Sequence, residues 1–529
     1  MNRRHFLQTT AAATVLPTLL GGLPIGAYGF SPELYELTGG ATQTDHVLVL
    51  IQLNGGNDGL NMVLPLDQYP ALMNARADIA IPEAQALRLT SLTGLHPAMT
   101  GLKNLYDNAQ LGVVQSVGYP NPNFSHFRAT DIWTSASDSN VTITSGWAGR
   151  YLNGEYPGYP TGYPSTQNPD PLAISIGSVV SNCVQGPSVN MGMAIASTSS
   201  FYQLLSGVVD TAPNTPAGHE LTFIRQVVQQ TQVYTTTLQA AAARARNLSP
   251  LYPAAGQNSL ADQLKIVAQL VAGGLQTRVY VCNLGGFDTH VNQVPTTGST
   301  TTGTHATLLG KISEAVAAFQ DDVRRLGVQD RVVGMTFSEF GRRIKANSGR
   351  GTDHGAAAPL FVFGTSVNPR IHGTNPQLPA NAGVNDNVPM QYDFRAIYAS
   401  ILKDWFQVPQ ATLNALLPSA GGAFPYVPVI RPGVVNGTTP AASLNVAGFQ
   451  VFPNPIREGR ATVAFEAQGG HVQILVFDTV GREVARVLDR RLPAGPQQVP
   501  LTVAGLAPGF YHCHIQEGGR VSSQPVAVE

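Results

Sequence analysis

The sequence predicts an α/β domain, a mostly parallel sheet covered by helices, followed by a small all-β immunoglobulin-like sandwich. Three observations carry this. Five strand-length runs between residues 46 and 364 are continuously apolar rather than alternating, as strands buried on both faces of a parallel sheet are. Stretches of helical period lie between them. The last stretch of chain, from about residue 447, breaks into short runs separated by turn formers.

The predicted strands are, in order, His46–Leu53, Leu111–Gly118, Arg278–Leu284, Arg331–Phe337 and Pro359–Gly364. Between the third and fourth, Leu308, Ile312, Val316, Phe319, Val323 and Leu326 recur at spacings of three and four, one apolar stripe of a helix. Glu220–Arg246 and Leu260–Val271 are two further helix segments. Strand and helix alternation implies an open α/β sheet. Ligands of such sheets sit beyond the carboxyl ends of the strands, so the residues that follow each strand are where function is sought.

At 529 residues the chain exceeds one ordinary domain of roughly 100–200 residues. It divides into an α/β region over 40–428, a linker rich in Pro, Gly, Ser and Thr over 429–446, and a β region over 447–529. Charged residues are 12%, about half the usual share of ~25%. Lys+Arg 31 against Asp+Glu 32 gives a net charge of -1, with no basic excess for nucleic acid and no acidic excess. Collagen, coiled coil, disulfide scaffold and polytopic membrane protein are all excluded by composition. The opening Arg3-Arg4-His5-Phe6-Leu7 and the apolar run from Ala11 to about Ala27 read as a twin-arginine-type export leader over residues 1–29. Pro17 and Pro24 interrupt that run, and it is too short for a stable transmembrane anchor. Of three cysteines, Cys183, Cys282 and Cys513, at most two can pair, and whether Cys183 and Cys282 do is open at this level. Cys282, inside a strand, reads as a buried thiol.

Four loops expected at one edge of the sheet carry metal-binding residue types. Asp58 follows the first strand, Asp288 and His290 follow the third, Glu339 follows the fourth, and Asp353 and His354 precede the fifth. Taken singly, such loop residues are ordinary turn formers. Taken together, carboxylates with imidazoles are what a divalent cation, zinc or calcium, requires. After the second strand, Ser125 stands where a helix begins, suited either to an N-cap or to a nucleophile. Arg128 could bind a phosphate or sulfate oxygen. No G-x-S-x-G elbow, P-loop or G-x-G-x-x-G occurs at a strand-to-helix turn.

The motifs LVLIQLNGGNDGLN, YPNPNFSHFRATDIW, GGFDTH, TFSEFGRR and GTDHGAAAPLFVFG, with Tyr392 to Phe406 after them, resemble the secreted family called domain of unknown function 1501 over about residues 40–410. That family is placed in the alkaline phosphatase and sulfatase superfamily, so the resemblance implies one or two metal ions at the strand ends. It implies Ser125 as nucleophile, Asp288 and His290 as a ligand pair, Glu339 as a later acidic ligand and His354 as the late ligand, with Asp353 ligating or orienting it. Asn54 stands where the superfamily has its first Asp, and Asp58 is the nearby substitute. In the β region, Phe452-Pro453-Asn454-Pro455, the run from Phe477 to Glu483 and Leu506 to Tyr511 resemble the type IX secretion C-terminal sorting domain. The chain is thus expected to use the twin-arginine and type IX export machinery and to reach the surface or medium through the periplasm. The expected activity is metal-dependent hydrolysis of phosphate or sulfate esters, on a small-molecule or glycan ester, with a catalytically silent surface binding protein as the alternative.

Overall fold

The computed structural model of the chain describes residues 44–197, 234–418, 424–431 and, with short gaps, 449–528, besides the pairs 19–20 and 23–24. The expected leader and linker fall largely outside these residues, as does the first part of the helix expected over 220–246, whose described portion, 234–244, is helical. The chain separates into two compact units, residues 1–438 and 439–529.

Among the described residues, the first unit is built on a nine-stranded sheet. Its strands are β1 (Val47–Leu53), β2 (Leu111–Gly118), β3 (Ala173–Ile176), β4 (Gly192–Ile195), β5 (Val279–Leu284), β6 (Val332–Phe337), β7 (Ala358–Phe363), β8 (Ile371–His372) and β9 (Tyr392–Asp393). Their order is β8-β2-β7-β6-β1-β5-β3-β4, with β9 also on β2. At the centre, Leu50 of β1 lies between Met335 of β6 and Val281 of β5, both pairings parallel. Only β7 runs against the rest, pairing antiparallel with β6 through Met335 and Val362 and with β2 through Val113 and Phe361. That reversal decides where the site forms. The loop that precedes β7 arrives at the same edge as the loops that follow β1, β2, β5 and β6.

Both faces of the sheet are covered, which is why its strands are apolar without alternation. Successive side chains of β1 go to opposite cores. Leu48 and Leu50 pack with Trp133, Trp147, Cys183 and Tyr398 on one face. Val49 and Ile51 pack on the other with Cys282 and two helices, α2 (Ser259–Ala272) and α3 (Thr304–Arg325). Asn258 starts α2 by accepting from the backbone N–H of Leu260 and Ala261 at 3.2 and 3.3 Å. On α3 the predicted stripe Leu308, Ile312, Val316, Phe319 and Val323 is buried, and the helix stops where Gly327 takes φ 72°. A shorter helix, α1 (His126–Ser135), leaves the edge beyond β2.

Glu155 is a buried acid with neither carboxylate oxygen hydrogen-bonded. Burial pushes its pKa up from 4.5 to about 7, opposed by the nearby Arg278 charge. The folded chain therefore holds this proton more tightly than the unfolded one. The associated stability is complete below the unfolded value and is lost as pH rises through about 7. Glu155→Gln is expected to be more stable than the parent by up to ~3 kcal/mol at pH 8 and to lose that advantage at pH 4, read from urea midpoints at the two values. Equal midpoints at pH 8 would contradict it.

The second unit has seven described strands: β10 (Gln450–Phe452), β11 (Arg460–Ala467), β12 (Gly470–Phe477), β13 (Glu483–Leu492), β14 (Gly495–Thr502), β15 (Gly509–Glu517) and β16 (Arg520–Val528). They form two antiparallel sheets, β10-β11-β14 and β13-β12-β15-β16. One core joins them, with Val451, Val463 and Leu501 from the first sheet and Val472, Ile474, Cys513 and Val526 from the second. On β15 the alternation puts Cys513 inside and leaves His512 exposed. All three cysteines of the chain are free and buried, so Cys183 and Cys282 do not pair.

Candidate metal centre

The edge loops interlock closely enough that side chains from four of them touch. Gly55, at φ 122°, sits where an added Cβ would lie 2.2 Å from the Asp288 backbone nitrogen. Gly351 is equally constrained, since its Cβ would lie 2.3 Å from the carbonyl oxygens of Thr289 and His290. Only glycine permits these approaches. They bring the loop after β1, the loop after β5 and the loop before β7 into one layer.

Asp288 is the centre of that layer. Its Oδ1 lies 3.2 Å from His290 Nε2 and 3.3 Å from His354 Nε2, and its Oδ2 lies 3.5 Å from His126 Nε2. The outer nitrogen of each ring is held from behind. His126 Nδ1 meets Glu339 Oε1 at 2.8 Å, His290 Nδ1 meets Asp353 Oδ1 at 3.1 Å, and His354 Nδ1 meets the Phe124 carbonyl at 2.7 Å. Carboxylates and carbonyls only accept, so a neutral ring that gives its hydrogen to the acceptor behind Nδ1 turns the lone pair of its Nε2 inward. His290 Nε2 and His354 Nε2 are then 2.8 Å apart. Two such lone pairs beside a carboxylate repel one another unless a cation or a shared proton lies among them. Ligands about 2.0–2.1 Å from a tetrahedral zinc stand roughly 3.3 Å apart, close to the Asp288 spacings. The donor set therefore fits a cation, and among the described residues His126, Asp288 and His354 form a group able to hold one.

The electrostatics favour the same state. Burial opposes ionisation of Asp288, but the Arg342 hydrogen bond at 2.7 Å and the Arg342 charge outweigh it and hold the carboxyl below its ordinary range. The hydrogen bond from Asn347 at 3.0 Å, with His290 beside it, lowers Asp353 in turn. Burial and the Arg342 charge keep His354 below its usual value despite the Phe124 carbonyl, and so neutral and ready to donate. Phe340 is buried beneath two of the rings, with centroids 4.9 Å from His126 and 4.5 Å from His354.

The predicted site residues divide into four groups. Asp288, His290 and His354 converge. Glu339 and Asp353 are present but face the outer nitrogens of His126 and His290, where they orient rings rather than point at the centre. Asp58 and Arg128 are elsewhere, a correction to the expected ligand and anion-binding roles. Asp58 is buried and receives two 2.8 Å bonds from Arg76 and one of 2.6 Å from Gln293 Nε2. Arg128 curls onto the loop that follows α1, donating to the carbonyls of Asp138, Ser139 and Val141 at 3.2, 3.3 and 2.6 Å. Ser125 is exposed at the N-cap of α1, and its hydroxyl makes no capping bond. Asn54 bonds the loop after β5 through its backbone, to Leu284 and Phe287 at 3.0 and 3.1 Å.

Two residues were not anticipated. His126 is the first residue of α1, and the Asn-Phe-Ser-His-Phe-Arg run was its only signal. Arg342 lies within Ser-Glu-Phe-Gly-Arg-Arg. It is buried and donates to the carbonyls of Gly55, Gly56 at 2.6 Å, Thr352 at 2.7 Å and Phe287 at 3.1 Å, besides Asp288.

Fold and cluster together define a two-unit protein whose α/β sheet presents a histidine–carboxylate cluster at its carboxyl edge. The chain belongs to the family described as a protein of unknown function, DUF1501, which matches residues 108–410. A secretion system C-terminal sorting domain matches residues 450–529, so the protein is secreted or held at the cell surface. No described helix is long and apolar enough to cross a membrane. No curated protein matches the chain. Among solved structures it is similar to a protein in the alkaline phosphatase superfamily from Vibrio parahaemolyticus, with 8% identity over 93% of this chain and 83% of that one and a TM-score of 0.30. It is similar to a Bacteroides thetaiotaomicron protein of a locus for metabolism of multiple glycosaminoglycans, with 9% identity over 91% and 89% of the two chains and a TM-score of 0.34. It also resembles PorZ, a surface component of the type IX secretion system of Porphyromonas gingivalis, with 20% identity over 16% of this chain, 11% of that chain's length and a TM-score of 0.12.

Proposed function

We propose that the protein is an exported, metal-dependent hydrolase of phosphate or sulfate esters. One observation carries the reading: three imidazole Nε2 atoms and Asp288 converge while an acceptor holds every Nδ1. His126, Asp288 and His354 would hold the ion, with His290 beside them, and imidazole-rich donors select a transition metal such as zinc over calcium, which takes oxygen ligands. A bound divalent cation would polarise the ester oxygen and lower the pKa of a bound hydroxyl or water. Ser125, exposed and adjacent in sequence to His126, is the nucleophile candidate. Glu339 and Asp353 hold the imidazole tautomers, and Arg342 keeps Asp288 ionised. The twin-arginine leader would deliver the folded chain to the periplasm, and the sorting domain would carry it onward.

One observation favours the alternative of a silent binding protein: Arg128 is engaged by carbonyls rather than facing the cluster. Metal analysis of the purified chain, with turnover of aryl phosphate and aryl sulfate in parallel, separates the two. The hydrolase reading expects bound metal and turnover in the parent, with both lost in His354→Ala. Metal without turnover of either ester supports the silent protein, and full activity in a metal-free His354→Ala chain contradicts metal dependence.

A further inference from the structure

Behind the cluster lies a buried polar unit that none of the proposed chemistry uses. Gln293 has no solvent exposure, and Asp58 and Arg76 are buried beside it. Asp58 is doubly bonded to Arg76 at 2.8 Å and is held ionised, because the Arg76 charge, His305 and the hydrogen bonds from Arg76 and Gln293 together outweigh the cost of burial. An ionised carboxylate only accepts, so the Gln293 amide must turn its Nε2 toward it, and does so at 2.6 Å. That choice fixes the other end. Gln293 Oε1 accepts from the Thr289 hydroxyl at 3.0 Å and from the Thr352 hydroxyl at 3.2 Å.

The two threonines flank the site. Thr289 sits between Asp288 and His290, and Thr352 immediately precedes Asp353 and His354. Their backbones are joined as well, Thr352 N–H donating to the Thr289 carbonyl at 3.2 Å, and Gln293 N–H donating to the Arg350 carbonyl at 3.0 Å. Both loops are thus clipped at one amide whose orientation is set from the opposite side by a fixed charge. We infer that Gln293 is a positioning residue, anchored by the Asp58–Arg76 pair, that holds the Asp288–His290 and Asp353–His354 loops in one metal-binding geometry. This rests on the metal reading above and extends it to residues that touch neither metal nor substrate. It also gives Asp58 a role, through the Gln293 amide rather than as a ligand.

The test compares the full chain with Thr289→Val, Thr352→Val and Gln293→Met. The valine variants keep side-chain shape and remove one hydroxyl each, so they report on the clamp even where Gln293→Met fails to fold. Zn2+ affinity is measured by competition with a chromophoric chelator, the Co2+ visible spectrum reads ligand geometry, and thermal unfolding of the metal-free protein is the stability control. Each valine variant is expected to bind Zn2+ about tenfold more weakly or worse, within the 10–100-fold range of residues that orient ligands, and to shift the Co2+ bands. The metal-free melting midpoint should stay near that of the parent. Parent-like Zn2+ affinity and Co2+ spectra in the valine variants overturn the clamp, and if His354→Ala loses Zn2+ in the same series the metal reading stands without it. If parent and His354→Ala bind Zn2+ alike, the metal reading fails instead. The clamp is then decided on the metal-free chain by the imidazole NMR signals of His290 and His354. Altered signals in the valine variants support it, and superimposable ones overturn it.

Discussion

Arg342→Met is expected to destabilise the first unit by at least ~3 kcal/mol, because it leaves several backbone carbonyls that the buried guanidinium joins without their donor. The guanidinium joins the carbonyls of Gly55, Gly56, Phe287 and Thr352 and the Asp288 carboxylate, so its removal strands acceptors in three loops. Each buried acceptor left unpaired costs about 1–3 kcal/mol. Arg342→Lys should recover only part of the loss, because an ammonium is a compact point charge that cannot reproduce the planar fork of donors. Urea unfolding monitored by tryptophan fluorescence reads the effect directly, since Trp133 and Trp147 lie in the core on one face of the sheet. A midpoint equal to that of the parent would show that the loops hold together without this arginine.

Asp288→Ala and His126→Ala are each expected to weaken Zn2+ binding by roughly 100-fold. Four-ligand protein zinc sites bind with ~10–16 kcal/mol, so one ligand is worth about 3 kcal/mol if the contributions are even. Asp288→Asn is the sharper probe. It keeps the shape of the side chain and removes the charge that offsets the cation and pairs with Arg342. Ser125→Ala should leave Zn2+ affinity unchanged and abolish turnover, which separates a nucleophile from a ligand. Parent-like Zn2+ affinity in both Asp288→Ala and His126→Ala would dismantle the centre as drawn.

The architecture was legible because burial on two faces writes itself into a strand as an unbroken apolar run. The five predicted strands correspond to β1, β2, β5, β6 and β7, with bounds shifted by at most one residue. β3 and β4, four residues each, were too short to stand out. The direction of β7 was not legible either, because an apolar run reads the same both ways. The site was legible where its residues follow strands closely, as Asp288, His290 and Glu339 do. Asp58 misled because its partner Arg76 lies 18 residues away and Gln293 lies 235 away, distances over which local pattern says nothing. Arg342 was hidden for a related reason: its partners are mostly backbone carbonyls, which every sequence possesses. His126 was overlooked because Ser125 beside it invited a nucleophile reading, and nothing local showed that the ring would meet Glu339 across 213 residues of chain.

The three cysteines make the chain a natural reporter on its own opening. Cys183 lies in the apolar layer on one side of the sheet, Cys282 in the layer on the other, and Cys513 inside the sandwich. Burial pushes Cys183 and Cys513 up to about 12 and raises Cys282 as well, so in the folded chain none offers a thiolate to a reagent. Alkylation therefore has to wait for the surrounding layer to part. Peptide mapping after a timed pulse of iodoacetamide assigns each opening event to its own layer. Modification at Cys513 alone marks release of the sandwich, and unequal rates at Cys183 and Cys282 show which side of the sheet yields first.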